Sequence, residues 1–386
     1  MKRQKICIIG GGLTGLVTSI ALSKLNCKID LIVDEDKKIV NNNRTTAISQ
    51  NNYEFLASLG ISNLIKEIVW PCSEIKLYDN DKKNNFFNML DISNASKKKK
   101  VFYMLQNYKI TKIMKEKIKE IKTISIIKNK KVFELKNSGL LKSIKFEKKT
   151  VKYNLVIICT GGSSELVKNT FKDSAIENSY DEVSITTTLK HKFLKNNIAR
   201  QIFLDNEIIA MLPIANTKTS IVWSKKKDLK ENNKFFKNKI RLYTKNFLQN
   251  IKFDNNIESR ELNFLLRKKY HKDRVLLFGD ALHVIHPFIG QGFNMILRDL
   301  ICLQNVLKKK IDLGLDVGSS DILSEFSNKA KPRNFLFSIS SNILKNSFAI
   351  KNKSLKKARN TFLGNLNKSG TVKNIFFDIA NKGFRF

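Results

Sequence analysis

The stretch KICIIGGGLTGLVTSIALSKLNCKIDLIVDED, residues 5–36, decides how the rest of the chain is read. Lys5 to Ile9 is a short β-branched run, Leu13 to Leu25 places apolar residues at helical spacing, and Lys28 to Val33 is a second strand-like run. Strand, glycine turn, helix and strand together predict a βαβ unit. Gly10, Gly12 and Gly15 stand in the spacing G-x-G-x-x-G. In that pattern the first glycine permits the tight turn, the second lets a pyrophosphate approach the backbone, and the third lets helix and strand pack closely. The helix opens at Leu13 and Thr14 with its free N–H groups turned toward the phosphates. An acid at the end of the second strand normally holds the ribose. Counted from Gly10, that slot falls on Val33, with Asp34 next to it. Either the strand shifts by one residue and Asp34 serves, or the contact is lost.

A chain of 386 residues that is 42% hydrophobic can bury a sizeable core, and its length favours two or three structural units. Lys+Arg outnumber Asp+Glu by 71 to 34, a formal charge of +37 that would ordinarily suggest nucleic acid or an anionic surface. Only eleven of the 71 are Arg, and the lysines are spread among Asn and Ile along the whole chain. That is the pattern of compositional drift rather than of a designed patch. No zinc-finger spacing, RNP-like aromatic run or arginine-rich arm interrupts the chain, so no nucleic acid is expected as a partner. Lys97 to Lys100, Lys225 to Lys227 and Lys308 to Lys310 could rest on anionic lipid, where each cation contributes about 1 kcal/mol, or could simply be solvated.

The five cysteines, Cys7, Cys27, Cys72, Cys159 and Cys302, are odd in number, widely spaced and mostly set in apolar runs, and read as buried thiols in a reducing compartment. The N-terminal MKRQK followed by an apolar stretch mimics a signal peptide, but the glycine spacing argues against cleavage. No other run of about 18 uncharged apolar residues exists, so no membrane span is expected.

Further along, Arg44 lies in a polar segment followed by a helix that Gly60 should stop, and a long amphipathic helix opens at about Tyr108. VIICTGGSSELV, from Val156, is a buried strand ending at Gly161-Gly162-Ser163. Segments 71–100 and 175–265 are richer in strand-like runs and should form a separate sheet. Then GDALHVIHPFIGQGFNMILRD, from Gly279 to Asp299, holds two of the four histidines, three of the sixteen glycines and no lysine. Something other than composition keeps it so.

Taken together, the glycine motif, NRTTAIS and RVLLFGDALHVIHPFIGQGFNMILRDL resemble the flavoprotein aromatic hydroxylases of the para-hydroxybenzoate hydroxylase class. The resemblance is closest to the ubiquinone-biosynthesis hydroxylases of the UbiH/UbiF/UbiL/Coq6 type. It covers most of the chain, through AMLPIANTKTSIVWS in the middle and DLGLDVGSSDILSEF after the Gly-Asp pair. It implies an α/β fold with a Rossmann-like FAD-binding domain, a second, mainly β substrate domain and a C-terminal helical region. The expected boundaries are 1–70, 101–174 and 265–310 for the discontinuous FAD-binding domain, 71–100 and 175–264 for the sheet domain, and 311–386 for the helical region.

By the same resemblance Gly279 and Asp280 meet the FAD ribitol and pyrophosphate region, Arg44, Gln106 and Gly161 contact FAD, and Pro287 lies near the isoalloxazine ring. Gly290, Gln291 and Gly292, with Phe293 and Asn294 opening the next helix, would present backbone N–H groups where negative charge collects on the reduced flavin. A lysine there would clash or mis-charge the wall. The implied activity is NAD(P)H- and O2-dependent hydroxylation of a polyprenylated phenol through a flavin C4a-hydroperoxide, the flavin carrying the hard step. The implied setting is cytoplasmic, peripheral to the inner face of a membrane and beside other ubiquinone-biosynthesis proteins.

Three departures from the family pattern stand out. Thr160-Gly161 replaces an Asp-Gly pair that helps bind FAD and NAD(P)H, Asn206-Glu207 stands where Gly-Pro is usual, and Leu282 replaces the second alanine of GDAAH. With Val33, Thr160 motivates an alternative: an FAD-binding but catalytically impaired component of a quinone-biosynthesis complex. A basic nucleic-acid or lipid-binding protein on a flavoprotein fold is the third reading. His283 and His286 read as structural hydrogen-bonding residues rather than metal ligands, because no third ligand is placed to join them. His191 and His271 read as surface residues, and Trp70 and Trp223 as core. Ser163-Ser164 has no nucleophile elbow or partner histidine, which excludes a hydrolase. At the C-terminal end Phe335, Phe337, Ile339, Ile343, Leu344 and Phe348 form either core or an interfacial face.

Overall fold

The computed structural model describes residues 3–34, 44–80, 86–93, 100–128, 134–145, 150–172, 175–204, 206–228, 231–254, 256–287 and 290–348, with 352, 354, 356, 358, 359, 361, 378, 379, 381 and 383 beyond. Lys97 to Lys99, Phe288, Ile289 and most of the chain's last 38 residues lie outside the described residues.

β1 (Gln4–Ile9), α1 (Leu13–Ser23) and β2 (Cys27–Val33) form the βαβ unit, with β1 and β2 parallel from Gln4↔Cys27 to Ile9↔Ile32. Ile6, Cys7 and Ile8 are all fully buried. A strand covered on both faces has no solvent side to be polar, which is why this run does not alternate. β3 (Thr45–Ser49) and β4 (Phe102–Gln106) pair antiparallel in a small sheet completed by Val69–Cys72. Between the polar segment at Arg44 and the helix stands β3, a strand not expected from the sequence: Thr45 and Thr46 look polar, yet β4 supplies ladder partners and Ala47, Ile48 and Ser49 are buried.

Gly60 ends the helix that follows, as expected: the helical path from Gln50 leaves helical geometry at Gly60, which takes φ +86°, and a second helix begins at Ser62 and runs to Ile68. The glycine accommodates a kink that lets Leu56, Leu59, Ile61 and Ile65 all reach the core.

α2 (Asn107–Glu120) packs beside α1 and leads into β5 (Ile124–Lys128). After an antiparallel three-stranded sheet between Glu134 and Tyr153 come β6 (Leu155–Ile158) and β7 (Ala175–Lys190). β8 (Glu258–Arg267), β9 (Val275–Leu277), α3 (Gly292–Asp312) and α4 (Ser320–Phe348) complete the frame. α3 runs one turn beyond the expected end near Leu307, and α4 carries Pro332 inside it.

The main sheet has the order His271–Lys272, β9, β6, β1, β2, β5; its five principal strands are parallel. All five therefore deliver their carboxyl ends to one edge, the edge where open α/β sheets bind ligands. A larger sheet of nine strands takes residues 74–93 and 175–267, with His283–Val284 at one end. Its Ile185, Leu189, Ile221 and Trp223 pack with Ile240 and Tyr243 of the helix Asn233–Thr244. The pairs Ser184↔Arg260 and Thr186↔Glu258 share the opposite face, because facing residues across a ladder point the same way.

His191 is buried rather than at the surface, held between the Lys192 carbonyl at 2.9 Å and Thr219 Oγ1 at 2.9 Å. His271 is half-buried and lies 3.2 Å from Ser324 Oγ. Trp223 is core, while Trp70 is half-buried with its indole N–H on the Asn196 carbonyl. All five cysteines are free and buried.

Ile8 sits in a central strand with no exposed surface. Ile8→Ala is expected to cost about 2–5 kcal/mol, read as a lower urea midpoint at unchanged denaturant dependence.

Candidate functional site

Three chain segments converge at the carboxyl edge of the parallel sheet. The glycine turn after β1 is so close to the end of β6 that a Cβ on Gly10, at φ +127°, would lie 2.8 Å from the Cys159 carbonyl oxygen. On Gly15 it would lie 1.9 Å from the Gly10 carbonyl oxygen. Past β9, Gly279 at φ +67° rests on α1, where its Cβ would meet Thr14 Cγ2 at 2.5 Å. Gly162 is equally confined, between Leu265 and the Asp280 carbonyl. By contrast Gly12, Gly161 and Gly292 face open space. The glycines thus divide into those that join the segments and those that leave a hollow between them.

Around that hollow the exposed groups are matched to an anionic, hydroxyl-rich ligand. The first turn of α1, including Leu13, Thr14 and Gly15, has no side-chain cap and no acidic residue, so its N–H groups are oriented toward the hollow without a competing acceptor. Asp280 is open to water yet walled by protein: burial pushes its carboxyl above the usual range, against the opposing charges of Arg44 and His283. Arg44 is in the same condition. Burial and the like charge of Arg260 pull its guanidinium down, while Asp280 and Glu258 raise it. Water-accessible groups with desolvated charges are the mark of a cleft.

Arg44 and Gln106 are brought together by the β3–β4 pairing, with the Asn107 N–H donating to the Arg44 carbonyl at 2.9 Å. Gln291 is the N-terminal flank of α3; its side chain is buried, and both Oε1 and Nε2 lack a partner among the described residues. Thr160 Oγ1 and Thr45 Oγ1 are likewise buried without partners. Unmet buried polar atoms carry a free-energy cost that a bound ligand can remove. Together with the bare glycines, they make this a cradle into which FAD fits.

The remaining expected residues have different surroundings. Asn294 is occupied by the protein itself: its carboxamide donates to the Ala47 carbonyl at 2.7 Å and accepts from the Ser49 N–H at 2.9 Å and Asn52 Nδ2 at 2.8 Å. Its side chain fastens β3 to α3, and Gly290 lies against Ala47 in the same junction. Phe293 packs partly on the core. Asp34 follows β2 immediately, half-buried, while Val33 packs within 2.8 Å of where a Cβ on Gly11 would stand. Pro287 is half-buried and its carbonyl accepts from the Gly290 N–H at 2.9 Å. Arg260 and Glu258 come from the large sheet and have no local motif, so only their proximity to Arg44 reveals them.

Two histidines flank the site as hydrogen-bonded pairs. His283 Nε2 is 2.8 Å from Asp299 Oδ2, which also accepts from Asn334 at 2.8 Å. His286 Nε2 is 2.9 Å from Glu182 Oε2, and Lys345 holds the other oxygen at 2.5 Å. Among the described residues no group of three His, Cys, Asp or Glu could hold a metal. Burial pulls His286 and His271 below the ordinary value of 6.5, opposed at His286 by Glu182. A depressed folded value means that the unfolded chain binds the proton first. Stability is therefore expected to be full above about pH 6.5 and to fall as the pH drops below it, and His286→Gln should remove part of that fall in urea titrations.

A sequence profile for the family described as "FAD binding domain" matches residues 3–334. The chain is 23% identical to "Ubiquinone biosynthesis monooxygenase COQ6, mitochondrial" of Dictyostelium discoideum, covering 97% of this chain and 90% of the relative. It is 24% identical to "Ubiquinone hydroxylase UbiL" of Rhodospirillum rubrum, covering 97% and 89%. Among solved structures, p-nitrophenol 4-monooxygenase PnpA of Pseudomonas putida superposes with a TM-score of 0.80 at 14% identity, over 100% of this chain and 99% of that one. Klebsiella pneumoniae HpxO complexed with FAD and uric acid gives 0.78 at 15% identity, over 98% and 97%.

Proposed function

The chain belongs to the FAD-binding-domain family of flavoprotein hydroxylases, and on that premise we propose that it hydroxylates the aromatic ring of a polyprenylated phenol in ubiquinone biosynthesis, using FAD, NAD(P)H and O2. The observation that carries the reading is the convergence of an uncapped helix N-terminus, the desolvated charges of Asp280 and Arg44 and the unpartnered Gln291 carboxamide around one hollow. Relatives named as monooxygenases or hydroxylases favour turnover over the impaired-component alternative.

Bound FAD would supply electron transfer from NAD(P)H to O2 and delivery of one oxygen atom to the ring. The residues have separable tasks in this reading. Gly10, Gly12, Leu13, Thr14 and Gly15 hold the pyrophosphate on backbone N–H groups, and Asp34 receives the adenosine ribose. Gly279 and Asp280 take the ribitol hydroxyls, the carboxylate accepting their hydrogen bonds. Arg44, Gln106 and Gly161 close the cofactor's sides. Pro287, Gly290, Gln291 and Gly292 form the wall at the flavin ring, where the α3 N-terminus and the Gln291 amide favour developing negative charge. Asn294 contributes through the backbone and through the β3–α3 joint rather than through its carboxamide. The Ser184 and Thr186 face of the large sheet excludes water from the other side.

A prenyl tail implies contact with a membrane. No helix among the described residues is long and apolar enough to cross one, so the contact in this reading is peripheral and electrostatic.

Purified protein is expected to show a flavin absorption spectrum, and prenylphenol-stimulated, O2-dependent NAD(P)H oxidation with a hydroxylated product. Gly15→Ala should abolish the flavin spectrum, since its Cβ has no room against the Gly10 carbonyl. A colourless protein that FAD cannot reconstitute would overturn the proposal, and a bound flavin without turnover would return it to the accessory alternative.

A further inference from the structure

Between α3 and α4, away from the glycine turn, lies a cavity of about 540 Å³. Its walls include Arg298 and Lys309 from α3 and Lys329 and Arg333 from α4, with Ile301 and Val306 between them. Among the described residues that line it, none is acidic.

Arg298 is the unusual member. Both of its terminal guanidinium nitrogens are shielded from solvent and have no hydrogen-bond acceptor among the described residues. The Phe337 ring lies 4.9 Å from its guanidinium carbon, and a Cβ on Gly383 would stand 3.1 Å from its Nε. The neighbouring Asp299 opposes that charge through space but gives it no hydrogen bond, its Oδ2 being bonded to His283 and Asn334. Burial accordingly pulls the guanidinium down to about 10. A buried guanidinium whose terminal N–H groups find no acceptor is a costly arrangement, and a charge-assisted bidentate oxyanion is what such a fork matches. Arg333, which spends one N–H on the Lys329 carbonyl and another on Cys302 Sγ, adds a second fork at the same cavity.

The cavity also continues into an apolar track. Pro332, on its α4 wall, is followed at spacings of three, four and four by Phe335, Ile339 and Ile343, which places all four on one helical face. Phe335, Ile339 and Ile343 are 47%, 36% and 65% exposed, unusual for large apolar side chains in a row. A cationic, acid-free cavity at one end of an exposed apolar stripe matches an amphiphile with a phosphate head.

We propose that the α3–α4 groove is a headgroup site for an anionic phospholipid, its phosphate held by Arg298 and Arg333 and its acyl chains lying along Phe335, Ile339 and Ile343. This deepens the membrane part of the proposed function by naming the site, and it does not depend on flavin chemistry. The phosphate chemistry could equally be met by free phosphate, but the apolar stripe favours the lipid.

The test is flotation of the full chain with phosphatidylcholine vesicles containing phosphatidic acid, against phosphatidylcholine alone, with inorganic phosphate as a separate probe by thermal shift. Wild type should bind the phosphatidic acid vesicles. R298Q and R333Q, each checked for folding by circular dichroism, should bind at least about tenfold more weakly, beyond the about fivefold expected from losing one surface cation, which K122Q, in the exposed turn after α2, provides as the comparison. R298K, keeping charge without the fork, should fall between. If wild type ignores the anionic vesicles, the peripheral-membrane reading and this site both fail. If it binds them and R298Q and R333Q match K122Q, this site fails while the membrane reading stands. Stabilisation by inorganic phosphate, lost in R298Q, without any preference for the anionic vesicles would overturn the lipid assignment in favour of free phosphate.

Discussion

α1 can lie on β1 only while position 15 is bare, because a Cβ there would stand 1.9 Å from the Gly10 carbonyl oxygen. That single close approach aims the helix N-terminus across the edge of the parallel sheet. The same edge receives Cys159 to Gly162 from β6 and Gly279-Asp280 from β9, each packed against the turn at distances a side chain would break. The parallel order of β9, β6, β1 and β2 is what brings these sequence-distant loops together. The cradle is a consequence of strand direction plus three or four missing side chains.

A second layer holds the cradle's far wall. The Asn294 carboxamide spans the Ala47 carbonyl and the Ser49 N–H, so the strand that follows Arg44 is fastened to the helix that follows Gln291. Asn381 strengthens the junction from the end of the chain, its carbonyl accepting from Ser49 Oγ and its Oδ1 from the Asn51 N–H. The His283–Asp299–Asn334 and His286–Glu182–Lys345 chains connect the segment before Pro287 to α3, α4 and the large sheet. The lysine-free stretch from Gly279 to Asp299 is therefore constrained twice: by the hollow it borders and by buried hydrogen bonds that a long cation would displace.

Legibility varied with the range of the interaction. The βαβ unit could be read because its signals are local: β-branched runs, three glycines and a helical period within 30 residues. The helix boundaries differed by only two residues at α1 and by five at α3. β3 was missed because Thr-Thr-Ala-Ile-Ser acquires its strand character from pairing with β4, more than fifty residues away. Gly60, like the βαβ unit, could be read locally, since a glycine that takes φ +86° ends a helix at little cost. His191 looked like a surface residue because lysines flank it on both sides; its partner Thr219 lies on the neighbouring strand Lys218–Lys226.

By itself the sequence determined the fold class, the glycine turn and the order of the family's motifs, because these depend on residue types at short, regular spacing. Only the tertiary structure decided which polar groups are engaged and which are unmet. It assigned the Asn294 side chain to a joint, left the Gln291 and Arg298 side chains without acceptors, and set Arg260 and Glu258 beside Arg44. Satisfaction of a buried polar atom depends on what the rest of the chain brings within about 3 Å of it, and no spacing along the sequence encodes that.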